Sequence, residues 1–254
     1  MDMRIGILGA GGMADALGTQ WARAGHEVMV SGRDLSRSTA QAARMSTAAA
    51  SAPSAGAAVS ASAGTGVVAG VAGAGVVAEV SRAGERGRVL AGSFAEVAEF
   101  GEVVVVAVRE AGLLDTLHAA GLALRGKALI DVTNAANPKE YDITHSLARL
   151  IGEVSGGHVV KAFNLCHVDV WRMTPPVFDG RPLAVPLCGD DPGALTAART
   201  LVTDLGCTPV DGGGAERAAL LEATAAFMIG LWFSGADAQA VLPPLPSSGT
   251  HQPA

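Results

Sequence analysis

Three small residues spaced as Gly9-x-Gly11-x-x-Ala14 carry the clearest chemistry in this sequence. They follow the apolar run Ile5-Gly6-Ile7-Leu8 and precede a stretch with Met13, Leu17 and Trp21 at helical spacing. A G-x-G-x-x-G/A pattern at a strand-to-helix turn is that of a dinucleotide-binding loop. Gly9 permits the tight turn. Gly11 lets the backbone approach a pyrophosphate, where a side chain would collide. Ala14 lets the helix pack close on the strand. The helix start offers free N–H groups and a partial positive charge to phosphate. Ala10, Gly12 and Met13 complete the loop.

The next informative stretch closes the second strand, Ser31-Gly32-Arg33-Asp34. A carboxylate about 20 residues after the glycines would hold the ribose 2′-hydroxyl of NAD. Here a hydroxyl and a guanidinium stand instead, and these suit a 2′-phosphate by charge-assisted hydrogen bonds. The dinucleotide is therefore expected to be NADP(H). Asp34 reads as the cap of the following helix.

Ligands of open α/β sheets lie at the carboxyl ends of the strands. The valine run Val103 to Val108 ends in Arg109-Glu110, Ala128 to Val132 ends in Thr133-Asn134, and Val159 to Phe163 ends in Asn164. A carbonyl or imine substrate would need a proton donor, for which Glu110, His145, Cys166 and His167 are available. Each also reads as an ordinary surface or satisfied residue. Cys166 and His167 are adjacent and would point to opposite faces of a strand, so they make a poor nucleophile pair. No catalytic residue is assigned. Cys166, Cys188 and Cys207 lack C-x-x-C spacing, so no metal site or disulfide framework is expected.

Positioning these groups takes a doubly wound α/β sheet of Rossmann type, mostly parallel, and 254 residues allow one large domain or one domain with an appendage. Residues 1–140 are expected to bind the dinucleotide, residues 141–235 to follow as further strands and helices, and residues 236–254 to form a disordered tail. A helix over Leu35 to Arg44 should precede a flexible Ala/Ser/Gly-rich insertion at 46–84. His26 reads as a surface turn residue, and Pro186 places its strand at an edge or bulge. The net charge of −6 without a basic cluster argues against nucleic acid. No run approaches the ~20 apolar residues of a membrane helix, and the start lacks a signal-peptide layout. A soluble cytoplasmic protein with a small-molecule hydride donor or acceptor is expected.

With these segments placed, the chain resembles the NADPH-dependent coenzyme F420 reductase family, the F420-dependent NADP oxidoreductases. The likeness rests on four blocks: Ile5 to Met13, Val30 to Asp34, Asp131 to Asn134, and Val159-Val160-Lys161-Ala162-Phe163-Asn164. It implies a Rossmann domain with a small C-terminal extension, residues 141–235, that completes the second-substrate pocket, in a dimer in which a deazaflavin stacks over the nicotinamide of NADP. By position, Gly9, Gly11, Gly12 and Met13 would face the pyrophosphate, and Ser31 and Arg33 the 2′-phosphate. Ala107, Val108 and Thr133 would line the nicotinamide. Asn134, Phe163 and Asn164 would lie near coenzyme F420, the second substrate. Ala10, Gly32, Arg109 and Ala162 complete the expected binding set. Arg109 replaces a proline common in the family, and Glu110 an apolar or aromatic residue. The family's threonine-asparagine-proline turn is opened here to Thr133-Asn134-Ala135-Ala136-Asn137-Pro138. These departures reshape the second pocket. They leave room for an NADPH-dependent reductase of another small molecule, or for a non-catalytic NADP(H)-binding regulator.

Overall fold

Valine runs too apolar for a sheet surface belong in its middle, and Val103–Val106 lies there. A computed structural model describes residues 2–51, 88–137, 139 and 141–241. Its strands are β1 (Arg4–Leu8), β2 (Glu27–Ser31), β3 (Val89–Ala91), β4 (Val103–Val106), β5 (Ala128–Asp131), β6 (His158–Lys161), β7 (Val177–Phe178), β8 (Arg181–Pro182), β9 (Ala184–Cys188) and β10 (Thr208–Gly213). Its α-helices are α1 (Gly12–Ala24), α2 (Leu35–Ala50), α3 (Phe94–Phe100), α4 (Leu113–Ala120), α5 (Leu147–Ser155), α6 (Pro192–Asp204) and α7 (Ala218–Phe233).

Eight strands form one sheet in the order β10-β9-β6-β5-β4-β1-β2-β3. The six from β6 to β3 run parallel in the doubly wound order expected of a Rossmann-type sheet. β9 joins β6 antiparallel through the pair Lys161 and Cys188, and β10 runs parallel to β9. β7 and β8 form a separate hairpin.

Alternation along β4 sorts the core into two layers. Val103 and Val105 pack with Ile5, Ile7, Trp21 and Met45 on one side. Val104 and Val106 pack with Val97, Leu117 and Ile151 on the other. Among the described residues, no helix is long and apolar enough to cross a membrane.

Three expectations need correction, and a fourth in part. Residues 46–50 belong to α2: Met45 and Ala49 are buried, and Ser46 Oγ accepts the Val89 N–H at 2.7 Å, tying the helix to β3. The rest of the expected insertion lies outside the described residues. His26 is buried, because Nδ1 accepts the Met3 N–H at 3.1 Å while Nε2 lies 2.8 Å from Asp204 at the end of α6. β9 is not an edge strand, but the bulge alternative holds: its ladder with β10 shifts register between Asp211 and Gly213, opposite Leu187 and Cys188, and β9 pairs with β6 only at Cys188. Of the expected tail, Ala238–Val241 forms a 3₁₀ turn with Ala238 fully buried, and residues 242–254 lie outside the described residues.

Candidate functional site

The glycine turn is built by close backbone approach. Gly9 has φ 136°, and a Cβ there would run into the Ala107 carbonyl oxygen at the end of β4. Only glycine lets the ends of β1 and β4 meet this closely. Gly11 is different: a Cβ there would meet nothing within 4 Å, so the protein itself leaves that space open. α1 starts at Gly12 without a side-chain cap, and Gly11 and Gly12 are exposed. The uncapped N–H groups of its first turn therefore face outward at the carboxyl edge of the sheet. Met13 is half-buried beside them, and Ala14 is buried against the strand side.

The structure separates Ser31 from Arg33. Ser31 is fully buried, its hydroxyl donating to the Ile7 carbonyl at 3.2 Å, which pins the end of β2 to β1. Arg33 stands exposed, and Asp34 caps α2 by accepting the Arg37 N–H at 3.1 Å. Gly32 leaves no room for a side chain, since a Cβ would stand 2.8 Å from Ser38 Oγ. Ala10, Ala107 and Val108 are half-buried around the same edge, and Arg109 is exposed beyond them.

Behind this rim lies a buried polar lattice. Asp131 Oδ1 accepts the Thr133 N–H at 2.8 Å and the Thr133 hydroxyl at 2.7 Å. Lys161 Nζ donates to Asp131 Oδ2 at 2.9 Å and to the Thr133 carbonyl at 2.5 Å. It also lies 3.3 Å from Glu222 Oε1 on α7. Asn134 Nδ2 donates to the Asn164 carbonyl at 2.8 Å, and Asn164 Nδ2 donates to Asn134 Oδ1 at 3.0 Å and to the Leu221 carbonyl at 3.1 Å. Both amide hydrogens of Asn164 are thus committed, and its buried Oδ1 is left without a partner.

Phe163 does not open onto this edge. At φ 59° the chain turns its ring into the core, 5.8 Å from Trp21 and 5.3 Å from Trp171, both edge to face. Ala162 is buried as well. The remaining expected residues come together at the carboxyl ends of β1, β2, β4, β5 and β6, as parallel pairing requires.

A cavity of about 280 Å³ adjoins Glu110, Ala136, Tyr141, Asp142, His145 and Leu147, under the opened turn. Hydrogen bonds from Thr144 and His145 hold the Asp142 carboxyl down to about 2. Burial and the neighbouring Glu222 push Tyr141 up to about 12. A larger cavity of about 440 Å³ is lined by Thr144, Ser146 and Ala148 at the start of α5, together with His158, Cys188 and Asp191. Burial raises the Cys166 thiol and pushes Cys207 up to about 11, so neither is a thiolate at neutral pH. Among the described residues, no cluster of three or more His, Cys, Asp or Glu side chains could hold a metal ion.

The sequence reading left Asp131, Lys161 and Glu222 out of the site. A signal was present for two of them: an acid and a base end neighbouring apolar runs, and the register pairs Asp131 with Lys161. Nothing local marked Glu222, which sits in an otherwise uncharged, mostly apolar helix.

Residues 4–135, just over half of the chain, match the family described as NADP oxidoreductase, coenzyme F420-dependent. No curated protein matches the sequence. A solved protein from Arthrobacter sp. FB24, described provisionally as an F420-dependent NADP reductase, is 25% identical with a TM-score of 0.63, over 92% of this chain and 96% of its own. A hypothetical protein from Sinorhizobium meliloti shares the fold at 20% identity and TM-score 0.58, over 86% of this chain and 88% of its own. An imine reductase from Pseudomonas sp. does so at 17% identity and TM-score 0.55, over 92% of this chain and 64% of its own.

Proposed function

We propose that this chain, which belongs to the family of coenzyme F420-dependent NADP oxidoreductases, moves a hydride between NADP(H) and coenzyme F420. Membership makes it an NAD(P)-dependent oxidoreductase. The observation that carries the reading is the family match, which spans the glycine turn, Arg33 and the Thr133-Asn134 edge. The chain's own residues fit such partners. The first turn of α1 has no side-chain cap, the space over Gly11 is open, and Arg33 is exposed beside it. The orphaned Oδ1 of Asn164 is an acceptor that a ligand N–H would satisfy.

When bound, the two partners supply the hydride donor and the acceptor carbon. The protein's part is to hold and align. Gly11, Gly12 and Met13 offer backbone N–H groups to the pyrophosphate, and Arg33 takes the 2′-phosphate. Ala107, Val108 and Thr133 border the nicotinamide, and Asn134 and Asn164 border the second substrate. In this reading residues 1–140 bind NADP(H) and residues 141–235 complete the second pocket. The protein works as a cytoplasmic homodimer. α7 leaves Leu220, Phe227 and Phe233 exposed, an apolar surface of the kind that subunit contacts cover. Loss of the oxidised deazaflavin absorbance on mixing F420 with NADPH tests the assignment, and a chain that binds NADPH without that loss has another acceptor.

One observation favours a second reading, an NADPH-dependent imine or carbonyl reductase. The cavity under the opened turn carries two carboxylates, Glu110 and Asp142, with Tyr141 and His145 as protic groups. Such a lining suits a cationic acceptor such as an iminium better than a polyanion.

A further inference from the structure

Lys161, Asp131 and Glu222 are at most 1% exposed, and together they carry one positive and two negative charges. Such a set is costly to bury unless every polar atom is paired. Here every arm is used. Lys161 reaches Asp131, the Thr133 carbonyl and Glu222. Glu222 Oε1 also accepts the Ser146 hydroxyl at 3.1 Å and the Ala148 N–H at 3.0 Å, and Oε2 accepts the Leu147 N–H at 3.0 Å. Tyr141 Oη lies 3.4 Å from that same Oε2. The excess negative charge sits on the N-terminus of α5, where the helix dipole offsets it.

The geometry does two things at once. Thr133 is gripped at its N–H, its hydroxyl and its carbonyl. The same lattice ends on Tyr141 and Leu147, two walls of the smaller cavity. The chain from Leu147 through Glu222 and Lys161 to Thr133 is unbroken, and it joins the second pocket to the β5 edge.

We propose that Lys161 and Glu222 are positioning residues that set Thr133, and the wall formed by Tyr141 and Leu147, in register across the hydride-transfer site. The proposal rests on the reading that Thr133 borders the nicotinamide of NADP(H). A well-packed apolar trio could stabilise this interior equally well, so the charges are there to fix one alignment. Their loss should affect alignment more than affinity, because the phosphates bind on α1 and β2, away from this lattice.

The test is Glu222→Gln, which leaves Lys161 and Asp131 as a balanced pair. Circular dichroism checks folding, fluorescence titration gives the NADPH Kd, and the emission of bound NADPH reports the nicotinamide surroundings. The expected result is a folded variant with Kd within about twofold of wild type and altered bound-nicotinamide emission. Where wild type reduces F420, kcat should fall by about 10–100-fold, as for small misalignments of reacting groups, with little change in KM. A folded variant with unchanged emission and unchanged kcat overturns the proposal. Should Glu222→Gln not fold, Glu222→Met repeats the test, and failure of both to fold makes the carboxylate a folding requirement and overturns the positioning role. Wild type that binds no NADPH overturns this proposal together with the functional reading. Wild type that binds NADPH without reducing F420 overturns only the choice of acceptor, and the emission test still decides.

Discussion

Glu110 Oε2 accepts the Ala136 N–H at 2.7 Å, so the residue after Arg109 holds the opened turn beyond Thr133-Asn134. Glu110 and the opened turn, two places where the sequence differs from the pattern it resembles, are thus one structural unit. The carboxylate of the one accepts the N–H that the other supplies. Glu110→Ala removes a hydrogen bond at an exposed site, worth on the order of 1 kcal/mol. The expected outcome is a KM for the second substrate raised about fivefold with the NADPH Kd unchanged. Steady-state kinetics and a binding titration check it, and an equal loss in both would place the turn in the cofactor site.

Cofactor choice should depend on Arg33 and not on Ser31. The Ser31 hydroxyl is spent on the Ile7 carbonyl inside the sheet, whereas Arg33 is exposed. Arg33→Ala should weaken NADPH binding by about 1.5–3 kcal/mol, or about 10- to 150-fold, and leave NADH nearly unchanged. Ser31→Ala should leave the NADPH-to-NADH ratio near its original value. Parallel titrations with both cofactors decide, and a Ser31 variant that loses discrimination would return the hydroxyl to the phosphate site.

Tyr141 is the sole tyrosine of the chain, so its ionisation can be followed directly by ultraviolet absorbance. Burial and the adjacent Glu222 charge place its folded value at about 12, against about 10 for an unfolded chain. The folded pKa is the higher, so the associated stability is fully present below about pH 10. It is lost as pH rises through the folded value near 12. The phenolate should form well above pH 10 in native protein and near 10 in urea. Glu222→Gln should bring the native midpoint down, and a midpoint near 10 in native wild type would remove the Glu222 contact.

Much of this fold was readable because its signals are local. The glycine turn, the valine run of β4, the Asp34 cap and the Asp191-Pro192 start of α6 each follow from a few adjacent residues. What escaped was set by partners far away in sequence. His26 looks like a turn residue until Asp204, 178 positions on, is placed against it. Ser31 and Phe163 occupy positions that suggest ligand contact, yet the Ile7 carbonyl and two tryptophans claim their side chains. Glu222 has meaning only once α5 and β6 are docked on α7.

The Phe163 ring, wedged between Trp21 and Trp171, should behave as core. Phe163→Ala should cost roughly 3–5 kcal/mol, on the order of 10 °C in Tm for a chain of this size. Thermal melts with and without NADPH measure it. A Tm near wild type combined with a large loss of F420 affinity would move the ring into the second-substrate pocket.

The last prediction sets the two candidate acceptors against each other through charge. Arg109 is exposed at the start of the 3₁₀ turn Glu110–Gly112, just beyond β4. Glu110 and Asp142 line the adjoining cavity. A guanidinium is always charged and presents a fork to carboxylate or phosphate, so Arg109 favours an anionic partner such as F420, with its phosphate and glutamate tail. The carboxylates favour a cationic one. Arg109→Ala should therefore raise the F420 KM, by about 10-fold for loss of one charge-assisted contact, with no change in NADPH Kd. With an iminium acceptor the same variant should leave KM unchanged or lower it, and Glu110→Gln should raise it. Both effects should shrink as salt rises, since exposed charges are screened over about 10 Å at 0.1 M ionic strength. If F420 is turned over and Arg109→Ala acts as stated, the F420 assignment holds. If only the iminium is reduced and Glu110→Gln is the damaging change, the pocket belongs to a cationic substrate.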